Sequence, residues 1–395
     1  APVIDFAGLS PWIALLGGAV LVLLVGLFRS RVIREFIVPK LTVLTFAAAI
    51  GLSIWQWNAD ATIISGALRI DPFTALMICI FSVAGIVTVT LAYRAVAPRE
   101  AGHGEFHALL LASAAGMATL AAAQDLIVLF IGLELLSIPL YVLCATEMRR
   151  ERSLESGIKY LIVGSVGSAT LLYGLAMIYG ATGDTSYAGI AEVLTSGVPV
   201  QPSLNIARDP LLIGGVALTV AGLVFKASLA PFHQWTPDVY QGAPTPVTAF
   251  MSVATKAAAF AVILRLLNEA LAAAQPEWSP LLAAVAVLSI IVGNVGALGQ
   301  ESLKRILAYS SIAQAGYLTI GVVVALPIGA QATIFYLCVY LLMTLTSFAV
   351  IIANERIGGS DSLTALRGLG RRFPVIAWPL TIAMLGLAGL PLTAG

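Results

Sequence analysis

Three ionisable residues lie where an apolar sequence should hold none. Glu134 stands in DLIVLFIGLELLSIPLYVL, Lys226 in GLVFKASLAP and Lys256 in TPVTAFMSVATKAAAF. A charge at mid-bilayer costs about 2.5 to 3.5 kcal/mol on insertion scales, so each needs a compensating role. At 1.5 Å per residue, Glu134 falls roughly 14 Å beyond Asp125 and Lys256 roughly 16 Å beyond Thr245, both near the centre of a span. Lys226 falls roughly 24 Å beyond Pro210, so a lysine that snorkels to the nearer surface is the competing reading. Pro231 argues against it. A proline removes a helix hydrogen bond and clashes with the preceding turn, which predicts a helix break just after the lysine. Broken helices at membrane depth are where transporters place ion sites. The chemistry these residue types support is proton transfer. A desolvated lysine favours its neutral form and a neighbouring carboxylate favours the ammonium, so approach and withdrawal of Glu134 from Lys226 would take up and pass on a proton. A structural ion pair between helices is the alternative for each residue.

Polar side chains recur at helical spacing beside these charges. Ser137 and Tyr141 follow Glu134 at i+3 and i+7, while Thr248, Ser252 and Lys256 stand four apart. Tyr336, Tyr340, Thr344 and Ser347 form another stripe, and Ser310, Gln314 and Tyr317 a fourth. One such stripe is commonly interhelical glue, whereas four, two of them carrying ionisable groups, predict a hydrated path through a bundle. Lys159 reads equally as a proton relay or as an anchor at the membrane edge. His233, Asp238 and Arg265 also fall near edges, with His233 a further candidate to line the path and interfacial anchoring the plainer role for all three. In GSVGS, Gly164 and Ser168 have the small-xxx-small spacing of close helix packing.

The elements that must position these residues are membrane helices. Of 395 residues, 59% are hydrophobic and 10% charged, against about 25% charged in a soluble domain. Apolar runs of spanning length lie near 9-28, 38-57, 72-93, 106-124, 125-146, 157-180, 210-232, 245-270, 280-298, 303-326 and 330-353, and a twelfth runs from about 375 to Gly395. The first is expected to be a membrane helix and not a cleaved signal, because no basic region precedes it and no small-residue cleavage site closes it. Loops after odd-numbered spans carry 16 of the 21 Lys and Arg residues, loops after even-numbered spans only Arg69 and Arg208, and Lys226, Lys256 and Arg265 lie within spans. By the positive-inside rule the amino terminus faces outward.

Several function classes are not supported. A net charge of +1 gives no nucleic-acid footprint. No GxGxxG or GxxxxGK[ST] loop is present. Cys79, Cys144 and Cys338 lie in separate apolar runs without CxxC spacing and read as core residues. His103 and His107 share a short loop far in sequence from other candidate ligands, so no metal and no cofactor is expected in this chain.

The phrases DLIVLFIGLELLSIPLYVL, SLESGIKYLIVGSVGSATLLYGLAMIYGATGD, FKASLAPFHQWTPDVYQGAPTPVTAFMSVATKAAAF and GNVGALGQESLKRILAYSSIAQAGYL resemble subunit N of bacterial proton-pumping NADH:quinone oxidoreductase, respiratory complex I. The resemblance runs from about residue 105 onward, and the first hundred residues agree only in hydropathy. It implies an all-α integral membrane bundle of the antiporter-like type, with inverted five-helix repeats, each containing a broken helix. The organisation expected is an N-terminal three-helix segment over 1-105, a first repeat over 106-270 and a second over 271-395. It assigns proton translocation to Glu134, Lys226, Lys256 and Lys159. NADH, FMN, iron-sulfur clusters and quinone are expected in partner subunits, which include neighbouring antiporter-like subunits, in the bacterial plasma (inner) membrane. In GLAGLPLTAG, Pro391 matches the start of a second broken helix whose following lysine this chain lacks, so the sequence reads as truncated in the twelfth helix.

Two related readings remain. Glu134, Lys226 and Lys256 would also serve a cation/proton antiporter or membrane-hydrogenase subunit, and a structural subunit could join pump modules without conducting protons. A quinone-binding role lacks a convincing polar pair for the head group.

Overall fold

Acidic caps followed by apolar runs start several of the membrane helices. In the computed structural model, which describes residues 5–196, 209–357, 359–390 and 393, Asp71 accepts from the Thr74 N–H at 2.8 Å and precedes Pro72. Asp209 accepts from the Leu211 N–H at 2.8 Å and precedes Pro210. Asp125 accepts from the Ile127 N–H at 2.7 Å. An acidic cap satisfies amides that the helix itself leaves orphaned, and proline costs nothing at the first helical position.

In chain order the elements are α1 (Ser10–Gly26), a π-helical turn Ile33–Ile37 leading into α2 (Val38–Trp55), and a hairpin of β1 (Ala61–Ile63) and β2 (Leu68–Ile70), with Ala61 opposite Ile70. Then come α3 (Pro72–Leu91), the short α4 (Val96–Ala101), α5 (His103–Ala122), α6 (Leu126–Cys144), α7 (Glu151–Thr182) and α8 (Tyr187–Ser196). After the helix α9 (Pro210–Lys226) and the short α10 (Trp235–Gly242), α11 (Thr245–Phe250) continues through a π segment Met251–Thr255 into α12 (Lys256–Arg265). The last elements are α13 (Gln275–Leu298), α14 (Leu303–Val324), α15 (Pro327–Arg356), α16 (Leu369–Arg372) and α17 (Pro374–Leu387).

Among the described residues, nine helical segments are long and apolar enough to cross a membrane, and α1, α9 and α17 are shorter apolar helices. Together these account for the twelve predicted spans. The chain is a multi-pass, all-α membrane protein. The β1–β2 hairpin was not expected from the sequence, and α7 begins at Glu151, so Lys159 lies two turns inside its helix instead of at its start. The small-residue spacing does what it predicts at Gly164, where an added Cβ would overlap the Tyr141 hydroxyl.

Helix packing sets the centre. The stretch Thr245–Ala270 is buried along its full apolar window, which makes the helix bearing Lys256 the axis of the bundle. Around it α5 packs on α6 and α7 on α9, and again α13 on α14 and α15 on α17. The ends of α9 and α17 also match in detail. After Lys226, Ser228 takes φ +62° and the Leu229 N–H reaches back to the Val224 carbonyl at 3.0 Å. After Leu387, Gly389 takes φ +70° and the Leu390 N–H reaches back to the Leu385 carbonyl at 3.2 Å. The second predicted break point, Pro391, lies outside the described residues.

Candidate functional site

Lys226 is the last residue of α9 and is 5% exposed. The break expected at Pro231 is present: helix stops at Lys226 and resumes at Trp235. Backbone groups freed at membrane depth must find partners inside the protein. The Ala230 N–H donates to Ser289 Oγ of α13 at 2.9 Å, and the Ala227 carbonyl accepts from Lys256 Nζ at 3.3 Å. Lys226 Nζ donates to Ser137 Oγ at 2.6 Å and lies 3.4 Å from the Tyr160 hydroxyl. The Tyr160 ring, 5.6 Å from the ammonium, stacks on Trp235 with centroids 4.8 Å apart and meets Tyr141 edge-on at 4.7 Å. Snorkelling is thereby ruled out, because the ammonium is turned into the bundle.

Glu134 is half-buried one helical turn before Ser137, and its Oε1 is buried without a hydrogen-bond partner among the described residues. No ion pair joins it to Lys226. The Ser137 hydroxyl donates to the Leu133 carbonyl and so offers Lys226 its lone pair.

Lys256, 2% exposed, directly follows the π segment of its helix. Such segments recur at functional sites. Its Nζ donates to the Ser311 carbonyl at 2.7 Å as well as to Ala227. The Tyr340 hydroxyl lies 3.0 Å from Ser311 Oγ and 3.3 Å from the Ser252 carbonyl, two acceptors for a single proton. One rung further along α14 and α15, Tyr336 donates to Gln314, and Gln314 Nε2 donates to the Leu387 carbonyl at 2.8 Å. Thr344 Oγ1 is buried without a partner among the described residues. A polar line therefore runs from Ser137 through Lys226, Lys256, Ser311 and Tyr340, with Glu134 one helical turn before Ser137 and with Gln314 and Tyr336 beside the far end.

Some predicted residues lie elsewhere. The serine beside Lys256 is Ser311, not Ser310, since each step along a helix turns the side chain by about 100°. Tyr317 faces outward at 39% exposure and contacts Asn294. Thr248, Ser252 and Ser347 use their hydroxyls on carbonyls three to eight residues away in sequence, which is local bonding. His233 sits in the break, half-buried, its Nδ1 without a partner among the described residues.

Lys159 belongs to a separate cluster at the end of the bundle, held by Glu155 at 2.6 Å and Asp238 at 3.0 Å. Asp238 also accepts from Arg305 at 2.8 Å. Burial would raise the Asp238 carboxyl, but the hydrogen bonds from Lys159 and Arg305 hold it below the ordinary carboxylate range. A cavity of about 200 Å³ opens beside Lys159, Ser156, Asp238 and Gln241. At the opposite end Arg265, 3% exposed, is no interfacial anchor. It donates to Asp71 at 2.7 Å, Thr74 at 2.8 Å, Glu269 at 3.1 Å and the Ala121 carbonyl at 2.5 Å.

Sequence reasoning missed Lys304, which counted as a loop charge. It is 1% exposed and lies 3.5 Å from Glu355, which also accepts from Thr245. The signal was its place seven residues before Ser311, on the same face of one helix.

Residues 123–395 match the family model described as NADH:quinone oxidoreductase/Mrp antiporter, TM. NADH-quinone oxidoreductase subunit N 1 of Herpetosiphon aurantiacus is 42% identical over 95% of this chain and 76% of its own length. Subunit N of Chloroflexus aggregans is 41% identical over the whole chain and 80% of its own. This chain belongs to the NADH:quinone oxidoreductase/Mrp antiporter membrane family. Both of these relatives are named subunit N chains, in keeping with the motifs. Among solved structures of the family, respiratory complex I from Thermus thermophilus aligns with a TM-score of 0.78 at 35% identity, covering 96% of this chain and 79% of that one. The Mrp complex from Dietzia sp. aligns at 0.81 with 25% identity, covering 98% and 71%.

Proposed function

We propose that this chain is a membrane-arm subunit of NADH:quinone oxidoreductase that translocates protons, coupled to electron transfer from NADH to quinone in other subunits. The observation that carries the reading is a contrast among buried cations. Arg265 and Lys304 each lie within 4 Å of a carboxylate. Among the described residues, the hydrogen-bond partners of Lys226 and Lys256 are hydroxyls and carbonyls, with no carboxylate within 4 Å. A lysine held by neutral oxygens can release its proton without leaving a bare carboxylate behind, which an ion-paired lysine cannot do.

Lys226 then serves as the carrier, with Glu134 as the mobile counter-charge. When the carboxylate approaches past Ser137, the ammonium is stabilised and a proton is taken up; when it withdraws, the proton passes on. Lys256 receives it across the Ala227 carbonyl region, and Ser311 with Tyr340 extend the route. Lys159 beside its cavity serves the entry side, with His233 lining the break. The matched ends of α9 and α17, and the repeated pairing of α5 with α6 and α13 with α14, support reading 106-270 and 271-395 as two repeats. An odd number of spans per repeat would invert the second relative to the first. NADH, FMN, iron-sulfur clusters and quinone are placed in partner subunits, the membrane is the bacterial inner membrane, and the amino terminus faces outward.

The test is proton pumping alongside electron transfer in vesicles carrying the assembled complex with Lys226→Ala, with assembly checked on a native gel. Loss of pumping in a fully assembled complex is expected. Unchanged proton stoichiometry would leave Lys226 structural and the subunit a scaffold. The similarity to the Mrp complex keeps a cation/proton antiporter as the second reading, and sodium-dependent proton flux without NADH would favour it.

A further inference from the structure

Away from the polar line, an open groove of about 770 Å³ lies between the start of α2 and the end of α3. That volume is in the range of small-ligand sites. Its lining combines apolar Val43, Leu44, Val89 and Phe36 with Lys40 and Tyr93. A smaller polar well adjoins it, lined by Arg94, Arg99 and His103 and sharing Glu35, Pro39 and Tyr93 with the groove. Both stretches of basic residues, 29-40 and 94-99, belong to the charge-rich side of the bundle.

The charges around this groove do not balance internally. Glu35 is taken by Arg31 at 2.9 Å, and Glu100 lies 3.7 Å from Arg149. Lys40, Arg94 and Arg99 are exposed and have no carboxylate within 4 Å among the described residues. Arg94 sits over the Tyr93 ring at 5.3 Å in a left-handed conformation with φ +63°. The turn that carries it is pinned by Arg356, which donates to the Leu91 and Tyr93 carbonyls at 2.9 and 2.6 Å. A strained arginine is thus presented in the well beside the groove by a turn the fold holds in place.

We propose that this groove binds an anionic phospholipid, its phosphodiester at Lys40, Arg94 and Arg99 and the upper part of one acyl chain against Val43, Leu44 and Val89. An apolar lining beside three exposed cations without carboxylate partners among the described residues is complementary to a lipid of net negative charge. Basic pockets between membrane helices select anionic head groups at about fivefold per cation.

The experiment uses the assembled complex in vesicles containing either phosphatidylglycerol or phosphatidylcholine with a photoactivatable group near the top of the acyl chain, followed by peptide mapping. Phosphatidylglycerol is expected to label the segments around Val43 and Val89 at least tenfold more than phosphatidylcholine. Arg94→Gln with Arg99→Gln should bring labelling close to the phosphatidylcholine level, and Arg94→Lys with Arg99→Lys should retain it. Equal labelling by both lipids would reduce the groove to ordinary annular contact, and no labelling of these segments by either lipid would show it to be covered by protein; either overturns the proposal. Should the glutamine variant fail to assemble on a native gel, the ratio between the two lipids in the unaltered complex decides alone.

Discussion

A lysine that carries protons and a lysine that holds helices together differ in what surrounds the nitrogen. Lys226 meets Ser137 at 2.6 Å and Tyr160 at 3.4 Å, whereas Lys304 lies 3.5 Å from the Glu355 carboxylate. The difference makes Lys226→Arg informative. A guanidinium keeps the charge and hydrogen-bonding capacity but does not deprotonate in proteins. If Lys226 carries protons, the arginine variant should lose pumping as fully as the alanine variant, measured by proton uptake in vesicles. If the residue only supplies a positive charge, arginine should restore most of it. Glu134, Lys226 and Lys256 were legible in the sequence because a charge inside an apolar run has a large insertion cost. Lys304 was not, because beside Arg305 at a span boundary it looks like an ordinary positive-inside residue. Ser311 was misassigned to Ser310 because adjacent serines can be told apart only once the rotation of the helix about its axis is known.

At the scale of the element, the break after Lys226 is stable because two other helices complete its hydrogen bonds. Ser289 is fully used: it accepts from the Ala230 N–H at 2.9 Å and donates to the Val285 carbonyl at 2.6 Å. Ser289→Ala would orphan a buried amide, at a cost of about 1–3 kcal/mol. The expected outcome is a lower temperature for heat inactivation of coupled activity in membranes, with Ser289→Thr restoring it because the hydroxyl is kept. Heat inactivation unchanged in the alanine variant would mean that another group, such as water, satisfies the amide. The break was readable from Pro231, since proline acts on the backbone locally. Its partner Ser289 was not, because nothing in the run LLAAVAVLSIIVG marks one serine as facing a broken helix 59 residues earlier. The π segment before Lys256 was likewise invisible, for MSVAT carries no residue that demands it.

Across the whole molecule, the buried lysines of the centre lie between two ionic clamps. At one end Arg265 ties α12 to the start of α3 and the end of α5. At the other, Asp238 ties α10 to α7 through Lys159 and to α14 through Arg305. The second clamp crosses the boundary between the two proposed repeats, so it should fix the re-entrant segment that follows the broken helix. Its pH dependence follows from the sign of the Asp238 shift. The carboxyl is held below the ordinary range, so its contribution is fully present above the unfolded value of about 3.9 and is lost as pH falls through the lower folded value. Between pH 5 and 8 the clamp should therefore be closed and insensitive to pH. Hydrogen exchange of the peptide spanning Trp235–Gly242 in the intact complex tests this directly. Asp238→Asn should exchange several-fold faster than the unaltered chain throughout that range, and the difference should shrink as pH falls well below 4, where the unaltered carboxylate is protonated too. Equal exchange at pH 7 would show that packing alone, through buried Trp235, Val239 and Tyr240, holds α10 in place, and the proposed route from Lys159 to Lys226 would then have no ionic gate at its mouth.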